Sequence, residues 1–218
     1  MKVDFHLHTH CSDGGLSPSE LLAVVRHNGL RHWAVTDHDT LAGWKILTGE
    51  LGLIPGVEVT AERAGHEVHI VALGFDPEQR GFVEFLAAIR AVRRIRLSRL
   101  ISDLRETERL SVETLSPTAD CLTRSHLADA LVKIGRAANI HEVFEQLIGD
   151  DHCAALEMPP YPTPTEVVAA IHAAGGLAIL AHPGIYKTSE AIALLLDTPG
   201  LDGVETCHPR LDPLLATQ

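Results

Sequence analysis

Residues 4–15 read Asp4-Phe5-His6-Leu7-His8-Thr9-His10-Cys11-Ser12-Asp13-Gly14-Gly15, and the rest of the chain is read from them. Val3, Phe5 and Leu7 alternate with polar residues, which predicts a strand over Met1 to Leu7 with Asp4, His6 and His8 on its other face. Side chains two apart on one face stand about 7 Å from each other, so both imidazoles reach a single cation. Asp13 follows in a turn loosened by Gly14 and Gly15 and adds a hard oxygen at the C-terminal mouth of the strand. A metal site is the first expectation.

Outward from this stretch, the same pattern returns. Ser17-Pro18-Ser19-Glu20 reads as a capping box with proline at the first helical position, opening a helix to about Asn28 that Gly29 stops. His32 to Thr36 is a second strand and delivers Thr36-Asp37-His38-Asp39 to a loop, where the two aspartates either cap the next helix or orient His38. Leu53 to Thr60 reads as a third strand carrying Glu58 between two valines, and a carboxylate buried there needs a partner. Ala61 to Gly65 is a turn, and Glu67 to Phe75 is a fourth strand whose apolar run His69 interrupts.

From Arg80 to Leu110 one long helix is predicted, with Phe82, Phe85, Leu86, Ile89, Val92 and Ile95 at helical spacing. Its seven arginines between Arg90 and Arg109, interleaved with acids, read as a solvated face rather than a nucleic-acid track. Shorter helices at about 125–134 and 140–147 make residues 81–157 a helical insertion subdomain, closed by the Pro-rich linker at 158–162. Strand–helix alternation then resumes with the cap Thr163-Pro164-Thr165-Glu166, a strand over Leu177 to Leu180 ending in Ala181-His182-Pro183-Gly184, a helix near 189–196 and a strand over 201–206. Residues 1–80 and 158–218 thus form one α/β domain, and functional residues gathered at strand C-termini fit an α/β barrel.

Composition narrows the function. A chain of 218 residues with 45% hydrophobic content buries a single-domain core, and a net charge of -11 argues against a purely electrostatic nucleic-acid binder. The cysteines, Cys11, Cys121, Cys153 and Cys207, are widely spaced without a CxxC pair, as in a cytoplasmic protein with reduced thiols. No signal-peptide pattern or long apolar run suggests a membrane partner. The sequence holds neither a GxxxxGK[ST] loop nor a GxSxG elbow, and none of the four lysines sits at a strand end to bridge two metals as in an amidohydrolase. His10 beside the ligand loop and His208 past the last strand are candidates for substrate contact; His27, His32, His66, His141, His152 and His172 read as ordinary surface or turn positions.

The ordered set His6-Leu7-His8, Ser12-Asp13-Gly14, Thr36-Asp37-His38-Asp39, Pro55-Gly56-Val57-Glu58, Glu67-Val68-His69-Ile70 and Ala181-His182-Pro183-Gly184 resembles the PHP (polymerase and histidinol phosphatase) superfamily of phosphoesterases. The likeness is greatest to its bacterial branch of nucleoside 3',5'-bisphosphate phosphatases and 5'-to-3' exonucleases, and it runs along nearly the whole chain. The resemblance implies a distorted (β/α)7 barrel with up to three divalent metals, Mn, Zn, Fe or Mg. By similarity His6, His8 and Glu58 serve one metal, Asp13 and His38 a second, and Glu58, His69 and His182 a third. Arg124 and His126, in the segment Thr123 to His126, would grip a second phosphate.

The implied chemistry is hydrolysis of nucleotide phosphates or oligonucleotide 5' ends by metal-activated water. Competing readings are a non-catalytic metal-binding or regulatory module and a histidinol-phosphate-type phosphatase. The family pattern continues into a Gly-Ser-Asp-Phe-His type strand end, and nothing after Glu205 offers an Asp-x-His. A C-terminally incomplete barrel is therefore expected, its open edge covered by a second copy of the chain in a homo-oligomer or by a C-terminal piece outside this sequence.

Overall fold

A computed structural model of the chain describes residues 2–186 and 189–206. Strand β1 (Val3–Leu7) leads to α1 (Pro18–Asn28), β2 (His32–Val35), α2 (Ala42–Ile46) and the short β3 (Leu53–Ile54). Next come β4 (Gly56–Arg63) and β5 (His66–Leu73), then five helices: α3 (Arg80–Asp103), α4 (Val112–Leu115), α5 (Arg124–Lys133), α6 (Ile140–Gln146) and α7 (Asp150–Ala155). Helix α8 (Pro164–Ala173), β6 (Leu177–Leu180), a 3₁₀ turn (Pro183–Ile185), α9 (Ser189–Leu196) and β7 (Gly203–Val204) complete the described chain.

The cap residues set the helix starts. Ser17 accepts from the Glu20 backbone while the Glu20 carboxylate accepts from Ser17, and Thr163 and Glu166 repeat the arrangement on α8. Gly29 then ends α1 in the left-handed conformation at φ 67°, which a residue without Cβ adopts at no steric cost.

Two sheets result. β1, β2 and β3 pair in parallel; β4, β5, β6 and β7 form the second, in which β4–β5 and β5–β6 are antiparallel and β6–β7 is parallel. The sheets meet at one bridge between His38 and Glu58, where the Asp39 N–H donates to the Glu58 carbonyl at 2.9 Å.

This is an α/β fold, but not the regular alternation expected. Pro55 lacks an N–H and splits the predicted strand over Leu53 to Thr60, so Leu53–Ile54 pairs with β2 and Gly56 onward pairs with β5. The turn predicted over Ala61 to Gly65 shrinks to Ala64 and Gly65, both at positive φ, so that β4 and β5 join as a tight hairpin with no helix between them. Among the described residues no strand pairing closes β7 onto β1.

Helix α3 serves two cores. Phe82, Leu86 and Ile89 pack with α8 and the inner face of β4–β6, whereas Leu97, Leu100 and Ile101 pack with α4 to α7 in a separate apolar cluster. A third cluster joins α1 to β2 through Leu21, Val25, Trp33 and Val35. The helix ends at Asp103, seven residues earlier than its periodicity suggests, and Arg105 behind it turns left-handed at φ 58°.

The reading of the α3 arginines as a solvated face is corrected for two of them. Arg93 and Arg96 are buried, while Ile95, expected on the apolar face, is 48% exposed. Both arginines turn inward because Asp39, Glu62 and Glu67 wait there with carboxylates. Among the described residues no helix is long and apolar enough to cross a membrane.

Candidate metal centre

The strand ends do converge, and they converge on Glu58. Its side chain is fully buried, and five imidazoles from four other segments face its two oxygens. Oε1 lies 2.8 Å from His182 Nε2 and 3.2 Å from His69 Nδ1; Oε2 lies 3.0 Å from His8 Nε2, 3.1 Å from His6 Nε2 and 3.4 Å from His38 Nδ1. Asp13 stands on the far side of the cluster, 3.5 Å from His8 Nδ1 and 3.7 Å from His38 Nε2. All seven residues expected as ligands are thus within one small volume.

A carboxylate has about four lone-pair sites, so five imidazoles exceed what it accepts with good geometry. The excess is visible: His6 Nε2 and His8 Nε2 face each other at 3.1 Å, and the buried His38 Nδ1 has no hydrogen-bond partner. Nitrogen lone pairs aimed at a common point fit a cation better than they fit one another. Three triads have ligand atoms close enough for one ion: His6, His8 and Glu58; His8, Asp13 and His38; and His38, Glu58 and His69. The first matches the expected grouping; in the second His8 joins the pair Asp13 and His38, and in the third His38 stands with Glu58 and His69 where His182 was expected.

Neighbouring carboxylates aim the rings. Glu205, just past β7, accepts from His6 Nδ1 at 2.6 Å and from the His182 backbone N–H at 2.6 Å. Glu67 accepts from His69 Nε2 at 3.0 Å, which turns Nδ1 toward Glu58. Asp37 does not cap the following helix: it accepts from the Thr9 N–H at 2.7 Å, the Thr9 hydroxyl at 2.6 Å and the Ser12 hydroxyl at 2.7 Å, and so shapes the loop that carries Asp13. That loop doubles back so tightly that a Cβ on Gly14 would fall 2.4 Å from the His8 carbonyl. Asp39 also faces inward, onto the Thr60 N–H and hydroxyl, both at 2.7 Å, and onto Arg93. Asp4 accepts from the His6 N–H at 3.1 Å and so touches the backbone of His6 rather than its ring.

The proton affinities show what the cluster lacks. Burial alone would lower the His6 pKa, yet hydrogen bonds to Glu205 and Glu58 lift it to about 10. His69 behaves likewise, burial being outweighed by Glu58 and Glu67, and reaches about 9. His38 has no such hydrogen bond, and burial lowers it to about 4. Burial works against the Glu58 and Asp13 carboxylates too, but the surrounding imidazoles hold Glu58 well below the ordinary range and Asp13 at about 2. Without cations, protons are favoured on His6, His8 and His69, so a cation bound there would displace them.

Around the cluster opens a cleft of about 460 Å³. The helical segment contributes one wall through Thr123, Arg124, Ser125 and Phe144. Ser125 Oγ and Thr123 Oγ1 donate to Asp13 Oδ2 at 3.1 and 3.3 Å. Arg124 lines the cleft with its guanidinium held by Glu67 at 3.2 Å and Asp150 at 2.7 Å. His126 is placed differently: its Nδ1 accepts from the Thr123 N–H at 3.0 Å in a capping box at the start of α5, and it does not line the cleft. His10 does not line it either, and His208 lies outside the described residues.

Sequence reading missed Glu205 and the role of Glu67. Both carried a signal: Glu205 ends a strand as the ligands do, and Glu67 is two residues before His69, hence on the same strand face.

No family model matches the chain. It is 35% identical over 196 residues to the 5'-3' exoribonuclease of Haemophilus influenzae, covering 85% of this chain and 70% of that protein. It is 27% identical over 219 residues to the 3',5'-nucleoside bisphosphate phosphatase of Chromobacterium violaceum, covering 93% and 75%. A solved structure described as a metal-dependent phosphoesterase from Bifidobacterium adolescentis superposes with a TM-score of 0.82 at 29% identity, covering all of this chain and 81% of that one.

Proposed function

The chain belongs to the PHP superfamily of metal-dependent phosphoesterases, in the branch of the bacterial 5'-3' exoribonucleases, and on that premise we propose that it hydrolyses nucleotide phosphates in the cleft around Glu58. Its substrates are 3',5'-bisphosphonucleosides or the 5' ends of short oligonucleotides, met in the cytoplasm. The two sheets are read as a distorted (β/α)7 barrel, with residues 81–157 as a helical insertion subdomain that walls the cleft. The observation that carries the proposal is the set of five imidazole nitrogens within 3.4 Å of one fully buried carboxylate.

His6, His8, Asp13, His38, Glu58, His69 and His182 would hold up to three divalent cations, and the mixed imidazole and carboxylate set suits Mn, Zn or Fe, with Mg favoured only by the oxygens. Bound there, cations would supply a lowered pKa for water, neutralisation of phosphate oxygens and stabilisation of the leaving oxygen. The protein's own residues do the rest. Glu58 lies between the triads and is shared by two of them. Glu205 and Glu67 fix which nitrogen of His6 and His69 points inward, so the donor set is organised before any ligand arrives.

Phosphate recognition falls to the wall opposite these rings. Arg124 is held in place by two carboxylates and keeps its guanidinium on the cleft, where it would receive a second phosphate. The Ser125 hydroxyl stands beside Asp13 and would share that task, while His126 supports the wall through its cap. The test is direct: protein supplied with Mn or Zn should release inorganic phosphate steadily from adenosine 3',5'-bisphosphate. Bound metal with no turnover of nucleotides, sugar phosphates or generic esters would sink the reading.

A further inference from the structure

Of the fourteen described residues that line the cleft, twelve are polar or charged, and Phe144 and Ile185 are the two apolar ones. They come from distant parts of the chain, α6 and the 3₁₀ turn after His182, yet both belong to its Arg124 end. The Arg124 guanidinium lies 5.8 Å from the centre of the Phe144 ring, and Glu67, which grips Arg124, lines both the cleft and a neighbouring cavity together with Ile185. That second cavity, of about 360 Å³, is mainly apolar, with Val68, Tyr186, Leu194 and Leu195 in its walls.

A cleft built for phosphate has no use for exposed apolar surface unless the ligand brings some. Phe144 packs on the helical cluster but is only half-buried, and Ile185 is 39% exposed, so both keep surface on the cleft. The part of a nucleotide that is flat, apolar on its faces and tethered about one sugar away from the phosphate is the base. We propose that Phe144 and Ile185 form a nucleobase subsite at the Arg124 end of the cleft, with the phosphate toward the Glu58 cluster and the neighbouring apolar cavity leaving room for a purine. The assignment rests on the nucleotide reading of the cleft and names where the base sits within it. A face that stacks without reading hydrogen-bond edges would accept all bases alike.

The test measures binding rather than turnover. Adenosine 5'-monophosphate and ribose 5-phosphate differ by the base alone, and their dissociation constants on chelator-treated protein are compared by calorimetry. The protein should prefer the nucleotide about ten-fold, the factor equivalent to about 1.4 kcal/mol, within the range of base–aromatic stacking. Phe144→Ala and Ile185→Ala should each shrink that preference several-fold, and Phe144→Tyr should restore it. Ile185 is exposed, so its variant folds even where the loss of the Phe144 ring disturbs the helical cluster. Equal affinity for the two ligands, or variants that weaken both alike, overturns the subsite. Preference without hydrolysis of adenosine 3',5'-bisphosphate leaves the subsite standing and removes the enzyme, and hydrolysis without preference does the reverse.

Discussion

Arg93 and Glu58 are buried charges a short distance apart, and their surroundings are built on opposite terms. Arg93 Nε donates to Asp39 at 2.6 Å, its Nη2 donates to Glu67 at 3.0 Å and to the Thr60 hydroxyl, and Asp39 takes the Thr60 backbone as well. Each charge there has a counter-charge within the protein. Around Glu58 five imidazoles compete for one carboxylate, two nitrogens face each other, and His38 Nδ1 faces the carboxylate without a hydrogen bond. The matched cluster is complete as folded, and on the function proposed above cations from outside would complete the crowded one. Buried polarity marks function here only where its own protein leaves it unmatched.

The comparison breaks first at its crowded end. Glu58→Gln removes the shared acceptor and should lower kcat on the order of a thousand-fold, with metal content by elemental analysis falling in parallel. Activity within ten-fold of the parent would mean that the cluster is not the reaction centre.

At the matched end the expected loss is stability. Arg93→Met strands the Asp39 carboxylate, leaves Glu67 with Arg124 and His69 alone, and should cost about 3–5 kcal/mol in denaturant unfolding. Burial would raise the Glu67 pKa, but Arg93 and then Arg124 hold it well below its ordinary 4.5. Its contribution is therefore complete above about pH 4.5 and lost as the pH falls below that, a slope that Arg93→Met should flatten.

Cations distinguish the clusters in the intact protein. Manganese or zinc at about a hundred times its dissociation constant adds about 2.7 kcal/mol, which for a chain of this length raises Tm by about 5–10 °C. A chelator should reverse the rise, and Glu58→Gln should abolish it; a Tm indifferent to metal would equate the two clusters. The smallest effect is expected at the edge of the crowded cluster. Glu205→Gln offers one acceptor where the carboxylate gave two, to His6 and the His182 backbone, and should weaken metal binding about 10–100-fold in a competition with a chromogenic chelator.

How much of this was legible beforehand varies by residue. The seven residues expected as ligands gather in one small volume, His8, Asp13, His38 and His182 from segments after strand ends, as read, but Glu58 and His69 from within β4 and β5. The α3 arginines misled, since their interleaved acids suggested water while Arg93 and Arg96 answer carboxylates on β4, on β5 and after β2. His126 also reads as a cleft residue by its place in the motif, but helix capping claims its ring. Regular strand–helix alternation failed at Pro55 and at the Ala64–Gly65 hairpin, two local backbone effects that the barrel pattern hides.

The sequence by itself determined which donor atoms the protein owns and that strands or the loops after them carry them, because alternation, capping and proline act within a few residues. Only the tertiary structure decided that Glu58 is the carboxylate all five imidazoles share, that Glu205 aims His6 across 199 positions of chain, and that Phe144 reaches the cleft. Those outcomes depend on which distant segments pack together, and a charge or a ring becomes a site only when its partners are a hydrogen bond away.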